Sequence, residues 1–232
     1  SSNIEALEQG LRYYNGRTIA NSVNGKEESL NTILPIVKKY GACVVGLTLD
    51  ENGIPKTAQG RFEIAKKIVD KAASYGIDKE DIFIDCLSLT VSAQQQEAMA
   101  TLECIKMVKE KLDVKTILGV SNISFGAPNR KALNNTFLTL ALGYGLDLPI
   151  INPNEDSMME AINSFKVIKN IDKNCINYIN KYSGFANNKK VMKDKECSSE
   201  LSLDQVVERG LKEDAKYITL NLLEKHTENK IL

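Results

Sequence analysis

The sequence predicts an α/β fold that forms part of a (β/α)8 barrel, and three observations carry that reading. Short apolar, β-branched runs recur along the first two thirds of the chain. Helical periodicity fills the intervals between them. The repeat length matches one strand-helix unit of a barrel.

The strands are expected at Thr18–Ala20, Ala42–Leu49, Ile82–Ile84, Thr116–Val120 and Leu148–Ile151. Most of these runs do not alternate with polar residues, as expected for parallel strands covered on both faces. Leu30, Ile33, Leu34 and Val37 give the i, i+3, i+4, i+7 stripe of a first helix. Ala65, Ile68, Val69 and Ala72 mark a second, Ala98, Leu102, Ile105 and Val108 a third, and Leu133, Phe137, Leu140 and Ala141 a fourth. Gly41, Gly76 and Gly145 follow three of these helices, where a left-handed terminal residue favours glycine. Strand centres fall near residues 20, 45, 84, 117 and 150. The intervals are about 25, 39, 33 and 33 residues, around the ~31 residues per unit of an eight-unit barrel. A doubly wound open sheet uses similar units, so spacing alone leaves closure open.

Beyond residue 154 the texture changes. A helix is expected over Glu155–Lys169, striped by Met158, Met159, Ile162, Phe165 and Val167. Residues 171–200 turn Asn- and Lys-rich and then polar, which reads as a linker. Helical periodicity resumes over 201–232, at Leu203, Val206, Val207 and Leu211, then Ile218, Leu222 and Leu223. The expected division is a barrel portion over 1–170 with five βα units, a linker over 171–200 and a short all-α segment over 201–232. Three further units, about 90 residues, are expected upstream of Ser1. Five strands leave two open sheet edges, which invite pairing with a complementary N-terminal barrel fragment or a second copy as a homodimer.

Composition narrows the function classes. Lys+Arg and Asp+Glu are both 30, so there is no positive excess of the kind that neutralises nucleic-acid phosphates. No apolar run approaches the ~20 residues of a membrane span. The five cysteines, Cys43, Cys86, Cys104, Cys175 and Cys197, form no C-x-x-C pair, which suits reduced thiols in a cytoplasmic protein. His226 is the one histidine, so histidine-rich metal sites and Ser-His-Asp or Cys-His catalysis are excluded, and no metal site is expected. His226 itself reads as a surface residue, and Cys86 as a small buried side chain.

The chemistry of a barrel sits at the carboxyl ends of its strands. There the sequence sets Asn21-Ser22, Asp50, Asp85-Cys86, Asn122 and Asn152. Amides and carboxylates present paired donors and acceptors, matching a flat heterocycle rather than a phosphate. The competing reading is that these residues cap helices or close turns. It is strongest at Asp50, which opens the turn signal Glu51-Asn52-Gly53. The most distinctive stretch is Gly119-Val120-Ser121-Asn122-Ile123-Ser124-Phe125-Gly126.

That stretch resembles the signature of the pterin-binding domains of cobalamin-dependent methionine synthases and of methyltetrahydrofolate:corrinoid methyltransferases. Ile19-Ala20-Asn21-Ser22, Val45 through Pro55, Ile82-Phe83-Ile84-Asp85 and Ala127-Pro128-Asn129-Arg130 are similar too, in the same order. The resemblance implies a barrel of the dihydropteroate-synthase-like type. It implies transfer of the N5-methyl group of methyltetrahydrofolate to a corrinoid (cobalamin) supplied by another domain or protein. Asn21 and Asp85 match the family's pterin-ring ligands, and Asn122 its amide near N5, the catalytic position. Ser22, Arg130 and Asn152 are expected to lie beside the substrate. Residues 203–232 resemble the start of the helical cap that precedes cobalamin-binding domains. Two alternatives remain: a dihydropteroate synthase, against which the absence of a Lys-containing loop after the fourth strand speaks, and a non-catalytic barrel fragment that needs a partner chain.

Overall fold

The structure is a computed structural model that describes residues 3–183, 203 and 212–223. The chain divides into two compact units, residues 1–173 and 174–232. The first unit begins with helix α1 (Ile4–Tyr13) and then alternates strands with helices. The order is β1 (Ile19–Asn24), α2 (Glu27–Tyr40), β2 (Cys43–Leu47), α3 (Ala58–Ser74), β3 (Ile82–Asp85), α4 (Val91–Gln94), α5 (Glu97–Lys111), β4 (Lys115–Gly119), α6 (Arg130–Tyr144), β5 (Leu148–Ile150) and α7 (Asp156–Ile168).

The five strands form one parallel sheet in the order β1-β2-β3-β4-β5. A doubly wound sheet reverses its order at a switch point, whereas this one follows the chain without reversal. It is the wall of a barrel: a partial (β/α)8 barrel, open among the described residues. Strand order separates this sheet from the doubly wound one that spacing alone allowed.

Burial separates the two faces of the sheet. Ala20, Val44, Ile82, Ile84, Thr116 and Leu118 are buried on the face that the helices cover. Leu30, Leu34, Ala65, Ile68, Leu102, Ile105 and Leu138 pack there from α2, α3, α5 and α6. Each buried Leu or Ile side chain contributes about 1.5–3 kcal/mol. Gly46 leaves room for α3, since a Cβ there would meet Ile68 at 2.8 Å. The other face follows from the register, in which Asn21, Val45, Phe83 and Lys115 form one row and Asn24, Leu47, Asp85, Ile117 and Leu148 the next. In a closed barrel this face is the interior. Here its margins are open: Ile19 is 49% exposed, Leu148 38% and Ile150 52%.

Local signals explain most boundaries. Asn3 caps α1, its side chain accepting the Ala6 N–H at 2.9 Å, and Thr57 caps α3 through the Gly60 N–H at 3.1 Å. Gly41 and Gly145 end α2 and α6 with φ of +61° and +106°. Strand limits differ from the expected ones. β1 begins at Ile19 and continues to Asn24, because a register shift between Asn21 and Val23 absorbs one residue as a bulge. β2 ends at Leu47 rather than Leu49, β4 at Gly119 and β5 at Ile150.

In the second unit, residues 176–183 are helical although 171–200 reads as linker. Tyr178 and Tyr182, one turn apart, bring their rings to 4.6 Å. A further helix covers Lys212–Leu223. The expected linker over 184–200, His226 and most of the expected cap over 201–232 lie outside the described residues.

Candidate functional site

Asp85 ends β3 on the inner face, and its backbone joins two strands there. Its carbonyl accepts the Thr48 N–H and the Thr48 hydroxyl, each at 3.1 Å. Its Oδ1 accepts the Leu87 N–H at 2.8 Å. Burial pushes the carboxyl up to about 6, with the Leu87 N–H pulling the other way. A carboxylate withdrawn from water at a barrel's carboxyl rim is a functional candidate on physical grounds.

Asn21 lies on the same face in the row beneath Asp85, with β2 between them. It is inside β1, not at its end, and the bulge at Ser22 is what sets Asn21 and Val23 on opposite faces. Asn24 ends the strand and serves the local turn, accepting the Lys26 N–H at 3.0 Å. A cavity of about 360 Å³ opens beside β1, lined by Asn21, Ser22, Asn24, Lys26, Ser29 and Thr32 among others. Asp85 and Asn122 do not line it.

Asn122 sits in a 3-10 turn over Val120–Ser124, immediately after β4. Its amide folds back over the strand end: a Cβ on Gly119 would lie 3.0 Å from Asn122 Nδ2. Gly119 has a φ of −74°, so glycine is needed there for space and not for conformation. Gly119→Ala is therefore expected to displace the Asn122 amide while leaving stability within about 1 kcal/mol. Turnover should fall more than about tenfold, ligand affinity by less than about tenfold, and the melting temperature should not change. Equal turnover in both proteins would separate Asn122 from the site.

The Asn122 turn is braced from three sides. Arg130 Nε donates to Ser124 Oγ at 3.0 Å, and Nη2 to the Ser121 carbonyl at 3.1 Å. The guanidinium also stacks over Phe125 at 5.3 Å. Thr90 and Ser92, from the segment after β3, donate to the Phe125 carbonyl at 2.5 and 2.9 Å. Phe125 remains 67% exposed at the rim.

Two expected site residues are engaged in turns. Asp50 Oδ1 accepts the Asn52 N–H at 2.8 Å, the turn reading its sequence favoured. Asn152 Oδ1 accepts the Asn154 N–H at 3.1 Å just past β5. Asn21, Asp85 and Asn122 thus share the inner face and its rim, and Asn21 and Ser22 both line the cavity beside β1. Cys86 is fully buried, and burial together with Cys104 raises its thiol well above the ordinary value. Sequence reasoning missed Thr48 and Gly119. A Thr at the carboxyl end of a buried run and a Gly at the last strand position were the available signals. Among the described residues no helix is long and apolar enough to cross a membrane.

A sequential parallel wall, with a carboxylate and an amide at its carboxyl end and a second amide one row below, defines the class as a partial (β/α)8 barrel with a polar rim. Residues 1–152 match the family model described as pterin binding enzyme, and the chain belongs to that family. It is 37% identical to a methionine synthase of Mycobacterium leprae over 165 residues, covering 66% of this chain and 14% of that protein. With a methionine synthase of Mycobacterium tuberculosis it shares 37% over 175 residues, 70% of this chain and 15% of that protein. A methylcorrinoid:tetrahydrofolate methyltransferase of Eubacterium limosum is 29% identical over 163 residues, 69% of this chain and 60% of that protein. The chain therefore spans about one seventh of the two methionine synthases and about three fifths of the methyltransferase.

Proposed function

We propose that this chain carries the folate half of a methyl transfer between N5 of methyltetrahydrofolate and a corrinoid. The observation that carries the reading is the placement of Asn21, Asp85 and Asn122 on one sheet face, Asp85 and Asn122 at the carboxyl ends of β3 and β4 and Asn21 one row below on β1. The names of the relatives agree with it. Asp85 would accept from the N–H groups of the pterin ring, and Asn21 would hold a neighbouring edge with its amide. Asn122 would direct its amide at N5, where the leaving amine must gain positive character. When bound, the corrinoid supplies the cobalt that takes the methyl group. It would arrive from another domain or a separate corrinoid protein, over the open rim around exposed Asn122 and Phe125. Arg130 would act by bracing the Asn122 turn. Ser22 is proposed near the ring edge, and Asn152 as a rim residue whose present partner is its own turn.

The direction of transfer has a second reading, favoured by the name of the Eubacterium limosum relative, from methylcorrinoid to tetrahydrofolate. Donors around N5 lower the barrier both ways. The open edges of β1 and β5 would be completed by further strands, from a complementary barrel segment or a second copy.

Titration of the chain with methyltetrahydrofolate tests the reading, with dihydropterin pyrophosphate as comparison. Saturable, stoichiometric folate binding without turnover of the pyrophosphate is expected. Turnover of the pyrophosphate would put a dihydropteroate synthase in its place. If folate binds only after a barrel fragment is added, the partner-dependent reading prevails. Isotopically labelled methyl groups, offered on folate and then on a corrinoid protein, distinguish the two directions.

A further inference from the structure

Arg61 is the largest fully buried side chain among the described residues, with none of its surface exposed. It projects from the first turns of α3 beneath the loops that follow β2 and β3. Its Nε donates to the Pro55 carbonyl at 2.8 Å. Its Nη1 reaches the carbonyls of Cys86 and Leu87 at 3.1 and 2.9 Å and the Thr101 hydroxyl at 2.7 Å. Its Nη2 pairs with Glu97 Oε2 at 2.7 Å, which balances the charge. A buried ion pair of this kind seldom stabilises a fold more than apolar packing of the same volume would. Its targets give the better account, because most of them are loop carbonyls at the carboxyl rim.

Leu87 is the loop residue that needs holding. It has a φ of +58°, a region that residues other than glycine, asparagine and aspartate adopt rarely. Its carbonyl accepts from both Arg61 and Thr101, the latter at 3.0 Å. Its N–H points back to Asp85 Oδ1. The strained residue is thus pinned at its carbonyl and holds the carboxylate through its N–H. Such strain persists where surrounding contacts over-determine it, and it collects at functional sites.

We propose that Arg61, neutralised by Glu97 and seconded by Thr101, is a positioning residue that fixes the Leu87 peptide and thereby aims the Asp85 carboxylate at a bound pterin ring. The assignment rests on the folate reading above. Arg61 touches no substrate; it acts through Leu87.

The test uses Arg61→Lys, Thr101→Val and the double variant Arg61→Lys with Leu87→Asn, in the full chain. Two quantities are read: the dissociation constant for methyltetrahydrofolate, and the carboxyl titration midpoint of Asp85 by carbon NMR without ligand. Each single variant is expected to weaken folate binding about 10- to 100-fold, the scale of a misplaced site group. The Asp85 midpoint should fall from about 6 toward 3.8, because a released loop admits water. Asparagine takes a positive φ readily, so Leu87→Asn should recover much of the affinity lost in Arg61→Lys. Thr101→Val is close in shape to the parent and carries the test if Arg61→Lys does not fold. Folate binding and an Asp85 midpoint both unchanged in Thr101→Val would overturn the proposal. If the midpoint shifts while the unsubstituted chain binds no folate, the positioning stands and the folate reading falls.

Discussion

Asp85→Asn is expected to raise the melting temperature at pH 7.5 and to weaken folate binding about 30- to 1000-fold. The two effects have one origin. Burial lifts the carboxyl from 3.8 to about 6, so its ionised form is the costly one in the folded chain. The folded state therefore binds the proton more tightly than the unfolded state. Between about pH 4 and 6 it carries more protons, and stability falls as the pH rises through that window, levelling off above it. A neutral asparagine avoids the penalty while its Oδ1 can still accept the Leu87 N–H. The stability gain should be about 1–3 kcal/mol above pH 6, and it should vanish below about pH 4. Affinity moves the opposite way, because a carboxylate accepts more strongly than an amide and loses its second acceptor on substitution. Melting curves of both proteins at pH 4 and 7.5 decide the first part. An equal gain at both values would show that a buried charge is not the cause. Folate affinity of the unsubstituted chain should also decline with a one-proton dependence below pH 6, and that dependence should be absent in the variant.

The wall of the barrel was legible because buried parallel strands are short apolar runs and their covering helices carry a 3.6-residue stripe. β2, β3 and β4 appear within two residues of their expected limits for this reason. Strand order was not legible, since equal spacing serves closed and doubly wound sheets alike. Helix α1 was missed although Asn3 caps it and Ile4, Leu7 and Leu11 share one face, because three apolar residues over two turns make a short pattern. The candidate site was readable only in part. Composition gave the polar rim, and the resemblance singled out Asn21, Asp85 and Asn122. No pattern marks Arg61, because arginine on a helix ordinarily faces water. Its burial depends on carbonyls supplied by Pro55, Cys86 and Leu87, brought together only by the fold. Asn152 and Asn122 both stood at strand ends in the sequence, though only Asn122 lay in a distinctive stretch. The structure separates them: one closes an Asx turn, and the other lies over a glycine whose missing side chain makes room.

Asn122→Ala should lower the rate of methyl transfer by one to three orders of magnitude while changing folate affinity by less than about tenfold. One preorganised hydrogen bond to developing charge is worth roughly 2–4 kcal/mol in a transition state. The same bond to a neutral N5 in the ground state is worth about 1 kcal/mol. That difference is the catalytic part, and the position of Asn122 supports it. Its 3-10 turn is held by Arg130 through Ser121 and Ser124, and by Thr90 and Ser92 through the Phe125 carbonyl. None of these bonds uses the Asn122 side chain, so truncation leaves the turn intact. Asn122 is an exposed residue, so its truncation should cost little stability. Single-turnover transfer to a reduced corrinoid protein separates the step from binding. A fall in the single-turnover rate at saturating folate, with an unchanged melting temperature, is the expected result. Loss of affinity alone would make Asn122 a ring ligand like Asp85, and the catalytic donor to N5 would have to be sought elsewhere on the rim.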